Sequence, residues 1–502
     1  MRRVPLLSGS RVVIVPTGDD DVVLRPPPPP EQVVDVAAAV RDALRFPLAG
    51  PTLDAITPRG GRATIVVEPP ALPLPGVHLD PRREALAAAI GELERCGIPD
   101  ERQTILVAGG LGRRLGQREL ERLLPPPQAR SFHGRVLVHD VEDPGLVAIA
   151  DGGAAPALVH PALVETDVAL VVGAAETILH GGPGTLVAAC DPGTVRSVAA
   201  ADSLLEAART PEWDLALHVE AALGASVALT GVSLVLDLPR LTGAFRGYPN
   251  DAGAVERLVR SPLRAAFSLL PGALRRELLF HQGRGLDATA AFAGPPSVAH
   301  TEALLRGIAL RGTRLDEPVD ALVVGVPWVG PNMPRGPLNP VTAAAVALGL
   351  ALRLRRDAFP VRLGGTVVLL HSLRRSFAPA EAPYAAMFHA LRDARAPDEL
   401  DAAEESAAAD ERALDAYRAG KTCHPLLPYA DWAGCAPALA RLGRVVVAGC
   451  RDALAARTLG FVPSHGIGSA LEMTHGVAGG RARVGILLGP PYPALLVGPA
   501  AP

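Results

Sequence analysis

Long apolar runs are missing from this sequence. No stretch of about eighteen residues escapes charge, proline or glycine, so no transmembrane helix is expected. The opening residues, MRRVPLLSGSRVVIVPTGDDD, carry two arginines but no apolar core of useful length, so no signal peptide is read there. Cysteine is sparse: Cys96, Cys190, Cys423, Cys435 and Cys450 lie far apart, with no CxxC pair and no disulfide ladder. A reducing cytoplasm is therefore the expected compartment. An excess of one charge sign is also lacking. The formal net charge of −3 gives no electrostatic case for nucleic acid or an anionic membrane as partner. Aromatic residues make up only 4%, and arginine far outnumbers lysine, which with the alanine and proline excess reads as coding bias. No HExxH, GxSxG or paired-carboxylate motif occurs.

What is present is a chain of 502 residues, 49% hydrophobic, enough for two or three domains with their own cores. Residues 11–15 and 22–24 read as a hairpin around Gly18-Asp19-Asp20-Asp21. Pro26 to Pro30 is a stiff polyproline spacer. Strand-like runs at 63–68, 104–108, 135–139 and 168–172 alternate with helix-like runs at 31–44, 81–96 and 117–124, and another helix begins near Val195. A returning strand is expected at 229–237. This alternation predicts an α/β fold with a parallel or mixed sheet. Residues 246–317 read as a helical connection. A second α/β unit follows, with strands at 321–326, 366–371, 444–448 and 484–488. Asn339-Pro340 is placed as cap and first residue of the helix 341–352. Residues 402–418 read as one acidic, solvated helix. The expected division is 1–245, 246–317 and 318–502, two α/β domains with a cleft between them.

Candidate chemistry gathers at the ends of the predicted strands, where ligand-facing edges of α/β sheets lie. The strand 168–172 runs into Glu176 and then His180-Gly181-Gly182-Pro183-Gly184. His180 is read either as a base or as a loop histidine bonded to backbone. Gly181 and Gly182 could cradle an anion with backbone N–H groups, although the Lys-Ser/Thr ending of a phosphate loop is lacking. Glu176 could orient a base or cap the loop. His139, before Asp140 at another strand end, is a second candidate base or a structural histidine. Arg113, beside Arg114, could grip a carboxylate from the glycine loop 109–112, whose spacing is wrong for a dinucleotide. Cys423, His424 and Cys435 fit no standard zinc spacing. Trp328, Asn332 and Asn339 follow a strand of the second unit and could face a substrate.

Several segments carry a resemblance. Residues 38–68 (AAVRDALRFPLAGPTLDAITPRGGRATIVVE), 95–114, Val136-Leu137-Val138-His139-Asp140 and 173–193 resemble, in order, the opening elements of the nickel-pincer lactate racemase family. GFVPSHGIGSALE at 460–472 is similar to its closing helix. The resemblance implies two α/β domains and a nickel-pincer nucleotide tethered to a lysine. It also implies a nickel-binding histidine, a pair of acid/base histidines acting on a 2-hydroxy acid, and an arginine that holds anionic ligands. At the matching positions this chain has Ala188 for the tethering lysine and Leu204 for the nickel ligand. Gly112 and Ile178 stand for the two histidines, and Ala71 for the arginine. None of these side chains can tether, ligate or move a proton, so no cofactor-binding or metal-ligating residue is assigned.

The expected function is accordingly a diverged lactate-racemase-like protein that binds a small 2-hydroxy or carboxylic acid in the cleft, with the nickel-pincer chemistry lost. One alternative is an active racemase or epimerase using His180 and His139. Another is a non-catalytic regulatory subunit. Homo-oligomers, or pairing with an intact paralogue, are the expected protein partnerships.

Overall fold

The computed structural model describes residues 2–29, 33–70, 80–149, 156–208, 210–238, 241–281, 286–327, 338–478, 482–489 and 492–499. Two six-stranded sheets organise them. The first sheet runs Ala288–Gly294, Ala228–Leu236, Val168–Ala174, Ala63–Val67, Gln103–Val107, Arg135–Val138. All neighbours are parallel except the first pair, which is antiparallel.

Its central strands are mostly apolar because both faces are covered. Ile65, Val67, Ile105, Val107, Leu170 and Val172 point to the helices Val36–Arg45 and Arg82–Arg95, whose Val36, Val40, Leu44, Leu86 and Leu93 close one core. Val66, Leu106 and Val171, one residue out of phase, pack on the other face with Leu186, Val187, Val219 and Leu223. Alternate side chains of a strand leave by opposite faces, so a continuous apolar run serves two cores.

The second sheet runs Val462–Ser464, Arg444–Ala448, Val361–Leu370, Val319–Gly325, Val484–Leu487, Val22–Leu24, and is parallel throughout. It is also covered on both faces. The expected hairpin is corrected here. Arg11–Thr17 pairs antiparallel with Arg2–Ser8, and Val22–Leu24 pairs instead with Val484–Leu487. Leu6, Leu7 and Val15 then lie under Val323 and Val368 of the second sheet. The strands thus cross the divisions read from sequence: residues 22–24 join the second sheet, and Ala288–Gly294, inside the expected helical connection, edges the first.

Asn339 caps Pro340–Ala344 as expected, its Oδ1 accepting from Thr342 N at 2.9 Å. The helix continues as a π-helical stretch, Ala345–Ala351. The acidic helix is two helices, Asp401–Ala408 and Glu411–Arg418, because Asp410 caps the second one. Among the described residues no helix is long and apolar enough to cross a membrane.

Candidate functional site

The carboxyl end of the first sheet gathers the groups that can do chemistry. Val168–Ala174 leaves the sheet and turns through residues 175–182 into the short helix Pro183–Val187. Gly181 and Gly182 adopt φ of +97° and +53°, a region costly for other residues. A Cβ on Gly181 would overlap the Ala174 carbonyl oxygen, and one on Gly182 would overlap His300. The loop therefore closes on the protein itself.

Its anion comes from the next strand. Glu68 follows Ala63–Val67, and its carboxylate accepts from His180 Nδ1 at 2.7 Å, Gly181 N at 3.0 Å and Thr185 Oγ1 at 3.3 Å. The N–H of Gly181, read from sequence as part of an anion cradle, thus holds an internal carboxylate. Against an ionised Glu68, His180 donates through Nδ1. Burial opposes the imidazolium, but the charge and hydrogen bond of Glu68, with Glu176 behind, outweigh it and raise the His180 pKa. The side chain remains 40% exposed.

Glu176 is buried and paired with Arg82 at 3.0 Å, and Arg82 also binds Asp80 at 2.7 Å. Its charge reaches His180, yet its carboxylate is engaged in this ion pair. His300 lies under the loop. Its Nε2 is 2.8 Å from Thr177 O, its ring stacks on Trp213 at 6.1 Å, and burial lowers its pKa to about 4. A neutral His300 that donates to the Thr177 carbonyl is a strut for residues 177–182.

His139 belongs to a different cluster. Its Nε2 is 2.8 Å from Cys190 O, its ring packs edge-on to His160 at 5.7 Å, and burial lowers its pKa to about 4. It stays neutral and bonded to backbone, and none of these contacts involves His180 or Glu68. Arg113 forms an exposed pair with Glu119 at 2.5 Å. The neighbouring Arg114 bridges instead, to Asp140 Oδ2 at 3.2 Å and Arg418 O at 3.0 Å.

The loop 109–114 is covered by the segment 417–430. Leu111 O accepts from His424 N at 2.9 Å, and His424 Nε2 lies 2.9 Å from Glu142 Oε1. The Tyr417 ring meets His424 edge-on at 5.1 Å. His424 is thereby committed to Glu142, and Cys423 and Cys435 are buried thiols whose pKa values burial raises. Trp328, Asn332 and Ala71 lie outside the described residues.

The positions that the resemblance assigns to cofactor and metal do not fit a lysine-tethered, histidine-ligated nickel group. Ile178 N donates to Leu204 O at 2.9 Å, and both side chains are buried with Ala175, Leu205, Trp213 and Ile308. Neither carries a donor atom, and their surroundings are apolar. Ala188 is half-buried and accepts through its carbonyl from Gly110 N at 3.1 Å. The chain's single lysine, Lys421, is exposed just past Glu411–Arg418.

Sequence reasoning found His180 but missed Glu68, which stood in plain view at the end of ATIVVE, the same strand-end position that drew attention to His139. His300 gave no signal, being one polar residue inside the helix Pro296–Arg311.

Residues 9–177 match the lactate racemase N-terminal domain. The lactate racemase apoprotein of Thermoanaerobacterium thermosaccharolyticum superposes with a TM-score of 0.62 at 13% identity, over 97% of both chains. A Thermotoga maritima protein superposes with a TM-score of 0.51 at 11% identity, over 93% of this chain and all of its own. A search of the curated proteins finds no match. Its N-terminal third thus matches the lactate racemase N-terminal domain, and its fold over nearly the whole length is similar to that of a lactate racemase.

Proposed function

We propose that this protein is a diverged lactate-racemase-like protein that binds a small 2-hydroxy or carboxylic acid beside His180 and has lost nickel-pincer chemistry. The observation that carries the reading is the burial of Ile178 and Leu204 in one apolar cluster, at the positions matched to a catalytic histidine and the nickel ligand. A site for metal and cofactor needs polar donors and room, and this cluster offers neither.

His180 supports the binding half of the proposal. It is partly exposed, biased toward its cation by Glu68, and has Nε2 unused by the protein in its assigned role. A carboxylate or hydroxyl of a small acid is the natural partner for that nitrogen. The same dyad favours a second reading, proton transfer to one face of such an acid, because a carboxylate-oriented imidazole is a competent base. Inversion needs a second acid on the opposite face, and neutral, backbone-bonded His139 does not supply it.

The test is nickel content and intact mass after co-expression with the pincer-cofactor synthesis proteins, followed by thermal unfolding with lactate, glycolate and malate. Unmodified mass without nickel, and protection by one of these acids that is lost in His180→Ala, is the expected result. Near-stoichiometric nickel with an added cofactor mass sinks the proposal.

A further inference from the structure

At the amino end of the first sheet, opposite from His180, a separate set of donor atoms converges. Asp100–Arg102 is a single 3-10 turn that feeds the strand Gln103–Val107. His133 lies between the helix Pro126–Ser131 and the neighbouring strand Arg135–Val138. Parallel pairing sets Thr104 against Arg135, so the two lead-in segments run side by side. Gly134 lets them close: a Cβ there would overlap the carbonyl oxygens of Asp100 and Gln103.

The consequence is a compact nitrogen-and-oxygen donor set. Asp100 Oδ2 accepts from His133 N at 2.9 Å and lies 3.1 Å from His133 Nδ1. One donor atom each from Asp100, Glu101 and His133 lies within 4.8 Å of the other two. Atoms bound at about 2.0–2.2 Å to one ion stand roughly 3–4.3 Å apart, so this triangle has nearly the dimensions of a coordination face. His133, paired with Asp100 through Nδ1, offsets part of the repulsion between the two adjacent carboxylates. Glu94, whose carboxyl is pushed up by burial and by Asp100 and Glu101, adds to the negative field there.

A second feature lies beside the triad. A groove of about 650 Å³ has Glu101 in its wall, together with Arg62, Arg102, Arg135 and His160. Asp143 and Glu165 line it too, so three arginines face three carboxylates and the groove is polar without an excess of either sign.

We propose that Asp100, Glu101 and His133 bind one divalent transition-metal ion, whose remaining positions are open to water from the groove. Imidazole with two carboxylates is a donor set for zinc, manganese or ferrous ions. The site shares no residue with the His180 region, so it stands or falls separately from the function proposed above.

The test uses the metal-stripped full chain, titrated calorimetrically with Zn²⁺ and followed by visible absorption with Co²⁺. One equivalent should bind saturably, and His133→Ala and Glu101→Gln should each weaken it by about tenfold or more. His133 is 68% exposed, so this variant should keep its metal-free Tm. Asp100 holds the His133 backbone and is left intact. Absence of saturable binding by Zn²⁺, Co²⁺ and Mn²⁺ overturns the proposal. So does wild-type affinity in both variants.

Discussion

Replacing Glu68 by Gln tests the candidate site most directly. Glu68 accepts three hydrogen bonds, the shortest from His180 Nδ1 at 2.7 Å. Hydrogen bonds to a charged group contribute about 1.5–3 kcal/mol each in buried settings, and the exposure of His180 reduces the share of its own. A loss of about 2–3 kcal/mol at pH 5.5 is the expected size. The pH dependence carries the diagnosis. Glu68 raises the folded-state pKa of His180 above the unfolded value of about 6.5. A raised histidine contributes stability that is fully present below the unfolded pKa and is lost as pH rises through the folded pKa. The gap between wild type and Glu68→Gln should therefore be wide at pH 5.5 and narrower at pH 8.5. Urea unfolding at both pH values measures it, and the double variant with His180→Gln should recover most of the pH-dependent part. A gap that is equal at both pH values, or wider at pH 8.5, refutes the ion-pair assignment.

Other contacts set further expectations. Gly182→Ala should cost about 2–4 kcal/mol, since φ is +53° and the new methyl overlaps His300; an unchanged Tm contradicts the loop geometry. Asp431, buried beside the Tyr384 hydroxyl at 2.6 Å, has its pKa raised by burial from 3.8 to about 6, so the fold loses stability as pH rises from the lower value to the upper. Asp431→Asn should then gain about 2–3 kcal/mol relative to wild type at pH 8, about half of that at pH 5 and little at pH 3, and a lower Tm at pH 8 would falsify the assignment. His424→Ala leaves Glu142 without its partner and frees the cover over Leu111, so limited proteolysis should cut within 417–430 faster than in wild type, with the rest of the chain unaffected.

The parallel strands were legible because the physics that forms them is local. Strict polar–apolar alternation was not required: runs such as Ile65 to Val67 and Val168 to Val172 are apolar throughout, as strands buried on both faces are. Asn339-Pro340 was legible for a similar reason, since cap and first turn lie within a few residues. Partner choice was not. Val22–Leu24 carries three residues of signal, and its pairing with a strand more than 460 positions later depends on which sheet has an open edge. Local turn chemistry at Gly18 pointed to the wrong neighbour, because the Gly9-Ser10 turn already satisfied Arg11–Thr17.

The glycine loop shows the same limit at the level of function. Its sequence announces a backbone that can approach an anion closely, and at Gly181 the N–H meets a carboxylate. Sequence spacing cannot say whose anion it is. Glu68 lies 113 residues before Gly181, on the adjacent strand, and the parallel register of Ala63–Val67 against Val168–Ala174 brings it to the loop. With that carboxylate in place, the loop no longer offers Gly181 to a phosphate. It offers His180, oriented and biased toward its cation. What the loop presents thus shifts from the Gly181 N–H to an imidazole held by a carboxylate, and the register of two strands produces that shift.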